Sequence, residues 1–237
     1  MRFSAPIYRL KRLAKVLSRE ENIPLHQALD RIAINEGFNN WSLLAARAAT
    51  DAPAREVFAQ LTPGDLVLLG ARPGHGKTLM SLELIAEALR QGHRGVFFTL
   101  EYNESDVLKG LQSIGADLTI FDERFEFDNS DKINSDYIMD RLALAPRGTI
   151  AIIDYLQLLD QKRENPELSV QIQTLKLFAQ EKGVILIFIS QIDRSFDLSK
   201  NQLPNLEDVR LPNPLDLTLF SKTCFLNNGE VQFRATG

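Results

Sequence analysis

The sequence has a single cysteine and lacks any long apolar run. Cys224 is the only cysteine among 237 residues, which excludes an internal disulfide and a cluster of cysteines around a metal ion. No stretch approaches the ~20 consecutive apolar residues of a membrane span. The basic amino terminus is not followed by the apolar segment of a signal peptide. These absences predict a cytoplasmic protein with no membrane partner.

Positive charge is concentrated at the amino terminus. Residues 1–50 contain eight Lys or Arg and four Asp or Glu, a formal net charge of +4, whereas the whole chain carries −4. The remainder therefore carries −8. Two interpretations of this asymmetry stay open. The first is a module that faces nucleic acid, and the second is a basic helix face that is merely solvated.

Residues 1–50 are predicted to form a small module of three short helices. Apolar residues recur at helical spacing over 6–20. Pro24 suits the first turn of a second helix, and Gly37 is a plausible stop for it. Asn39 or Asn40 would cap a third helix. A linker is predicted at 50–56, so that residues 51–237 form a second, larger domain.

In this larger domain, short apolar runs alternate with helical patterns. Strands are predicted at 65–70, 95–100, 124–127, 149–154 and 184–189. Helices are predicted at 76–91, 105–113 and 167–182, with a further helix capped by Ser135. Apolar runs separated by helices indicate strands buried on both faces, and hence a largely parallel sheet. Asn-Gly at 228–229, between two β-prone runs, predicts an antiparallel hairpin that closes the sheet.

The segment ARPGHGKT joins the first strand of this domain to a helix. Gly74 and Gly76 let the backbone turn its N–H groups towards an anion, and the helix adds its positive end. Lys77 is expected to reach the β- and γ-phosphates of a nucleotide, and Thr78 to place its hydroxyl on Mg²⁺. The predicted phosphate loop consists of Ala71, Arg72, Pro73, Gly74, His75, Gly76, Lys77 and Thr78. Ala71 departs from the glycine that begins the G-x-x-x-x-G-K-[ST] pattern, and Gly70 lies one residue too early.

Polar side chains follow three other predicted strands. In a doubly wound sheet, ligands bind at the carboxyl ends of the strands. Asp154 ends an apolar strand, where a carboxylate can orient Mg²⁺. Glu101 follows another strand and could accept a proton from an attacking water. Gln191 follows a third, where its amide could sense the γ-phosphate. An acid after a strand is often only a helix cap or a solvated loop residue, but the joint arrangement favours an active site.

Four segments, PGDLVLLGARPGHGKT, VFFTLEY, IIDYLQLL and ISQIDRS, resemble in order and context the ATPase domain of DnaB-type replicative helicases. The resemblance spans residues 57–235 and implies a RecA-like α/β fold of the P-loop NTPase class. It also implies ATP hydrolysis with Mg²⁺ and a homo-oligomeric ring, usually a hexamer, on single-stranded DNA. Under this resemblance Glu101 matches the catalytic glutamate, Asp154 the Walker B aspartate and Gln191 the sensor glutamine. Arg194 matches the arginine three residues after that glutamine.

The sequence departs from this family in three places. The basic module stands where the family has a collar domain. The late stretch SKTCFLNNGEVQF has no arginine to act as a finger on a neighbour's nucleotide, and Lys222 is its nearest basic residue. The loop after Arg194 carries only Lys200 and Arg210 as basic residues, and Lys162-Arg163 offers another basic contact.

Because an arginine finger can contribute ~10³-fold or more in rate, a poor ATPase and a weak helicase are expected unless Arg194 or Arg210 substitutes. Two alternatives stay beside a DnaB-like ATPase acting in DNA transactions. One is a RecA-like ATPase, not a helicase, that controls assembly. The other is a DNA- or protein-binding adaptor with a slow nucleotide switch.

Overall fold

The chain forms two compact units. The computed structural model describes residues 4–5, 7–50, 53–114, 116, 124–160, 165–193, 196, 203–211, 213–227 and 230–236. Contacts within the chain divide it into an amino-terminal unit, Met1–Arg55, and a carboxy-terminal unit, Glu56–Gly237.

The amino-terminal unit contains the three predicted helices: α1 (Ile7–Glu20), α2 (Leu25–Asn35) and α3 (Trp41–Thr50). Its core is formed by Leu10, Ala33 and Leu44, one from each helix. Asn40 is the cap of α3, since its side-chain oxygen accepts a hydrogen bond from the Leu43 N–H at 3.0 Å. A short helix, α4 (Pro53–Phe58), begins within the predicted linker at 50–56, and the boundary between the two units falls after Arg55. Pro53 explains this start, since proline suits the first turn of a helix.

The carboxy-terminal unit is built on a seven-stranded sheet. Its strands are β1 (Leu66–Ala71), β2 (Gly95–Thr99), β3 (Phe125–Asp128), β4 (Ile150–Asp154), β5 (Ile185–Gln191), β6 (Lys222–Asn227) and β7 (Glu230–Ala235). The spatial order is β3-β2-β4-β5-β1-β6-β7. All neighbouring pairs are parallel except β6 with β7, which are antiparallel. The predicted parallel sheet and closing hairpin are therefore confirmed, while the hairpin's tip at 228–229 lies outside the described residues.

Helices connect the parallel strands. They are α5 (Lys77–Arg90), α6 (Glu104–Ser113), α7 (Ser135–Leu142) and α8 (Leu168–Lys182). Every residue of β1, β2 and β4 is buried, as strands covered on both faces require. One large apolar core contains Phe98, Ile153 and Phe188 together with residues of α7 and α8.

The start of α7 differs from the prediction. Asn134, and not Ser135, is its cap, because the Asn134 side chain accepts a hydrogen bond from the Tyr137 N–H at 2.9 Å. Ser135 is buried, and its N–H donates to the side chain of Gln171 at 3.0 Å. Gln171 lies in α8 and also donates to the Leu159 carbonyl at 2.7 Å. Ser135 is therefore the first residue of α7, and a long-range partner in α8 binds its N–H.

The strand register brings the ends of four strands to one edge of the sheet. Ala71 of β1 pairs with Gln191 of β5, and Thr99 of β2 pairs with Asp154 of β4. Because β1, β2, β4 and β5 are parallel, all four carboxyl ends lie along this edge. We call it the carboxyl edge.

Candidate active site

The loop after β1 is shaped as an open cradle. Gly74 and Gly76 have φ values of 77° and 89°, in the left-handed region that side chains disfavour. A Cβ built on either glycine would meet no atom within 4 Å, so the space in front of the loop is clear. Gly76 directly precedes α5, whose first N–H groups have no acceptor within the helix. Backbone donors and the positive helix end therefore lie beside open space that suits an anion.

Glycine is required at position 70 for a reason unrelated to the phosphate loop. A Cβ at Gly70 would lie 2.7 Å from the Phe225 ring, and the two residues pair across β1 and β6. Glycine is required there because the ring covers the backbone, and not because the phosphate loop begins one residue early. The loop thus begins at Ala71, whose side chain is fully buried.

Lys77, Glu101 and Asp154 form a charged group at the carboxyl edge. Asp154 is 2% exposed, and its Oδ2 atom has no hydrogen-bond partner among the described residues. Burial, reinforced by Glu101 and opposed by Lys77, raises the pKa of Asp154 to about 7. Burial likewise lowers the pKa of Lys77, against the attraction of Asp154 and Glu101. A buried carboxyl group thus lies beside a half-buried lysine with one oxygen lacking the hydrogen bond that usually compensates burial, as expected where a bound group supplies the missing partner.

Glu101 lies two residues beyond β2 and is exposed. Its N–H donates to the Thr99 hydroxyl at 3.0 Å. The cap of the following helix α6 is Asn103, whose side chain accepts from the Asp106 N–H at 3.0 Å. Glu101 is therefore not a helix cap, and its carboxylate is left to act at the carboxyl edge.

Sequence reasoning did not single out two polar side chains at this edge. The Tyr102 hydroxyl lies 3.4 Å from the Thr78 hydroxyl, beside the place expected for a cation. Ser190 precedes Gln191 and is fully buried, and its hydroxyl has no hydrogen-bond partner within the described parts of the chain. The signal for Ser190 was its position, since it is a polar residue at the end of a buried apolar strand.

Gln191 ends β5 and joins the carboxyl edge to a surface segment. Its carbonyl accepts a hydrogen bond from the Arg210 N–H at 2.8 Å. The Arg210 carbonyl in turn accepts from the Gln157 side chain at 3.1 Å. The Arg210 side chain is exposed beside this edge. Arg194, Lys200 and Lys162-Arg163 lie outside the described residues.

Lys222 lies at the opposite end of the sheet. It pairs with Val67, the second residue of β1, whereas Ala71 at the carboxyl end pairs with Leu226. Its ammonium group donates to Asp65 at 2.6 Å and to the Gln60 carbonyl at 2.5 Å. This end, where the parallel strands begin, is called the lower edge. Lys222 stabilises it, and its ammonium group is occupied by the ion pair with Asp65. Arg234 of β7 pairs with Thr223 at the same lower end.

Two kinds of feature are absent from the parts of the chain that the structure describes. No helix there is both long and apolar enough to cross a membrane. No group of three or more His, Cys, Asp or Glu side chains there could hold a metal ion. A cation at the carboxyl edge would thus depend on few protein ligands.

The proteins similar to this chain are ATPases and replicative DNA helicases. A protein family described as "ATPase: KaiC" matches residues 57–209. The chain is 29% identical over 192 residues, 66% of its length, to the replicative DNA helicase DnaB of Helicobacter pylori (strain J99). It is 30% identical over 181 residues, 63% of its length, to the replicative DNA helicase DnaB of Leifsonia xyli subsp. xyli. Each match covers 40% of the relative.

A solved structure shares the fold. It is titled "The Structure Of A DnaB-Like Replicative Helicase And Its Interactions With Primase" and superposes with a TM-score of 0.60. The superposition covers 91% of this chain and 64% of that one, at 16% sequence identity.

Proposed function

Because the chain belongs to the KaiC family of ATPases, with an ATPase domain of the DnaB type, we propose that its carboxyl edge binds Mg·ATP and hydrolyses it. One observation carries this proposal. The buried Asp154 oxygen without a partner lies in the same charged group as Lys77, at the edge where the loop of Gly74 and Gly76 is open. A nucleotide with its cation would supply the missing charge and hydrogen bonds on both sides.

Each side chain has a role in this proposal. The backbone of 71–76 surrounds the phosphates, and Lys77 donates to the β- and γ-phosphate oxygens. The Thr78 hydroxyl and the Asp154 carboxylate would hold Mg²⁺, which suits an ion usually bound through one or two protein ligands and the phosphates. When bound, Mg²⁺ would supply positive charge that stabilises the negative charge of the phosphate groups.

Hydrolysis needs a group that accepts a proton. Glu101 is exposed at the carboxyl edge and interacts electrostatically with Lys77 and Asp154. Its carboxylate would take the proton of the attacking water. Gln191, which ends β5 beside Ala71, would contact the γ-phosphate and transmit its presence to the Arg210 segment. Arg194, three residues after Gln191, stays a prediction from the resemblance.

A partner chain and a nucleic acid complete the proposal. The relatives are replicative DNA helicases by name, and we extend to this chain a homo-oligomeric ring on single-stranded DNA. The exposed Arg210 side chain beside the carboxyl edge supports a neighbour-facing position. It would stabilise charge on the phosphate transferred in the adjacent subunit, as a finger arginine does.

The test of hydrolysis is Glu101→Gln, which retains the shape of the side chain and removes the base. Turnover should fall by roughly 100-fold or more, while the affinity for Mg·ATP stays within about twofold of the parent. Turnover is measured by phosphate release with and without a single-stranded oligonucleotide, and affinity by calorimetry. Glu104→Gln, which alters an exposed acid in the first turn of α6, is the matched control. Equal turnover in parent and Glu101→Gln would refute the assignment.

A second candidate function is favoured by the position of Lys222 and Arg234. Of the two basic residues in the described strands of the hairpin, Lys222 is held by Asp65, and Arg234 pairs with Thr223 near the end of β7. If neither reaches a neighbour's nucleotide, the hairpin strands supply no finger. The chain would then hydrolyse ATP slowly and use the bound nucleotide to control assembly. Turnover that does not rise with protein concentration, together with ATP-dependent oligomers in light scattering, would favour this function. A rise with concentration that Arg210→Ala abolishes would favour the first.

A further inference from the structure

Helix α1 presents a continuous basic face. Its buried side is formed by Leu10 and Ala14, which are at most 1% exposed. Opposite them stand four exposed basic residues, which we call the α1 basic face: Arg9, Arg12, Lys15 and Arg19. At 3.6 residues per turn they lie within an arc of about 120°. One side of the helix therefore carries nearly all the excess charge of this unit.

Acidic residues of the same unit do not neutralise this face. Glu21 forms an ion pair with Arg31, Glu36 accepts a hydrogen bond from the Ser4 N–H at 2.7 Å, and Asp30 accepts from the Trp41 N–H at 2.9 Å. Among the described residues, no ion pair is formed by any member of the α1 basic face. Glu20 is the one acid of α1 itself. The face therefore has a large uncompensated charge.

The spacing of the face matches a nucleic-acid strand. Arg9 and Arg19 are ten residues apart, which is about 15 Å along a helix. Each strand of duplex DNA presents a phosphate about every 3.4 Å along the axis, and an unpaired strand can adjust its spacing, so that about four phosphates can lie along the four cations. Such contacts fix a backbone without reading its sequence.

Two apolar side chains favour a single strand over a duplex. Leu13 and Val16 lie on the exposed side of α1 and are 52% and 43% exposed. A single strand offers unstacked base faces to apolar side chains, whereas a duplex buries those faces in its own stack. We propose that the α1 basic face binds single-stranded DNA through its phosphates, with Leu13 and Val16 against the bases.

This inference takes from the proposed function only the expectation that the partner is single-stranded DNA. Binding can be measured without nucleotide, so its failure and the failure of ATP hydrolysis are distinguishable. The probe is a fluorescein-labelled 20-nucleotide oligo-dT, titrated with the full chain and followed by anisotropy at 50 to 200 mM salt. The test variant combines Arg12→Gln, Lys15→Gln and Arg19→Gln. The matched control removes three exposed lysines elsewhere: Lys109→Gln, Lys132→Gln and Lys182→Gln.

Loss of three phosphate contacts should weaken binding about tenfold at 50 mM salt and lower the salt slope by about 2. The control should change affinity by less than about threefold, because a diffuse charge effect is weaker than direct contact. ATP turnover without DNA should be equal in all three proteins, and circular dichroism should show the same helix content. Leu13→Ser with Val16→Ser should weaken binding to oligo-dT without changing the salt slope.

Three results would overturn the inference. The first is an equal loss of affinity in the test variant and the control. The second is tighter binding of a duplex of the same length than of the single strand, which would assign the face to duplex DNA. The third is absent DNA binding with retention on phosphatidylserine vesicles or on poly-glutamate, which would assign the face to an anionic membrane or an acidic protein.

Discussion

The two ends of the central sheet each contain a buried aspartate, and the two aspartates differ in their hydrogen-bond partners. At the carboxyl edge, Asp154 has an oxygen without a partner in the described structure, and the buried hydroxyl of Ser190 has none. At the lower edge, Asp65 accepts hydrogen bonds from Lys222 at 2.6 Å, from Ser221 at 2.9 Å and from the Thr62 N–H at 2.6 Å. The buried carboxylate of the first edge therefore has an oxygen without a partner, whereas the buried carboxylate of the second edge has a cation and two further donors.

The pKa values of the two aspartates follow from this difference. Burial alone would raise both. At Asp154 it prevails, and the pKa rises to about 7. At Asp65 the hydrogen bonds with Lys222, Thr62 and Ser221 outweigh burial and hold the pKa below its usual value. A buried carboxylate that has its hydrogen-bond partners within the protein stabilises the fold. One that lacks them can gain those partners from a bound ligand.

The largest expected effect is on ligand affinity at the carboxyl edge. Lys77→Ala removes the cation expected to contact the β- and γ-phosphates, so the affinity for Mg·ATP should fall by about 100-fold or more, roughly 3 kcal/mol. The free energy of unfolding without nucleotide should not fall, since burial already disfavours the charge on Lys77. Calorimetric titration and urea unfolding measure the two quantities. Retained affinity would exclude Lys77 from the phosphate site.

Lys222→Met is the reciprocal change at the lower edge. It leaves the Asp65 carboxylate buried without its cation, and the free energy of unfolding at pH 7 should fall by about 3 kcal/mol. Nucleotide affinity of the folded protein should be unchanged, because β6 carries Lys222 at the end remote from the loop. Lys132→Met, at an exposed site, is the control in the same urea titrations. A loss of affinity without a loss of stability would show that Lys222 acts on nucleotide.

The contrast between the edges also separates what the sequence predicts from what it does not. The phosphate loop is predicted because its chemistry is local: two glycines, a lysine and a threonine lie between a strand and a helix. Lys222 is misleading because its place depends on the register of β6 against β1, a pairing between residues about 155 apart in sequence. The cap of α7 was predicted one residue too late, because Asn134 and Ser135 are both residue types that cap helices and the sequence does not separate them. Local sequence patterns predict the helices and strands. The contacts of a polar side chain such as Lys222 depend on partners that are distant in sequence.

The free energy of unfolding should depend on pH through Asp154, because its pKa is raised in the folded protein. Between about pH 4 and pH 7 the folded protein keeps the Asp154 proton that the unfolded chain releases, so stability falls as pH rises through this window. Asp154→Asn removes this dependence and should raise the free energy of unfolding at pH 8 by roughly 2 kcal/mol. The measurement is urea unfolding at pH 5 and pH 8 in EDTA without nucleotide.

Glu83, whose pKa burial also raises to about 7 against the attraction of Arg90, contributes a similar slope to parent and variant. The difference between the two proteins therefore isolates Asp154. Asp140→Asn, at an exposed position in α7, should leave the pH dependence of the parent in place. Identical pH dependence in parent and Asp154→Asn would mean that Asp154 is ionised and satisfied, contrary to the comparison between the edges.

The smallest expected effect concerns Gly70, which lies next to the carboxyl edge but belongs to the packing of the sheet. A Cβ there would stand 2.7 Å from Cε1 and 2.8 Å from Cδ1 of Phe225, and Phe225 is 3% exposed. Gly70→Ala should therefore lower the free energy of unfolding by about 1 to 2 kcal/mol through overpacking. Phe225→Leu in the same chain should recover part of that loss, giving a coupling energy in a double-mutant cycle. Calorimetry on the folded Gly70→Ala protein should show Mg·ATP affinity within about twofold of the parent. If affinity fell strongly and Phe225→Leu recovered no stability, Gly70 would belong to the phosphate loop after all, and the loop would begin one residue earlier than the structure indicates.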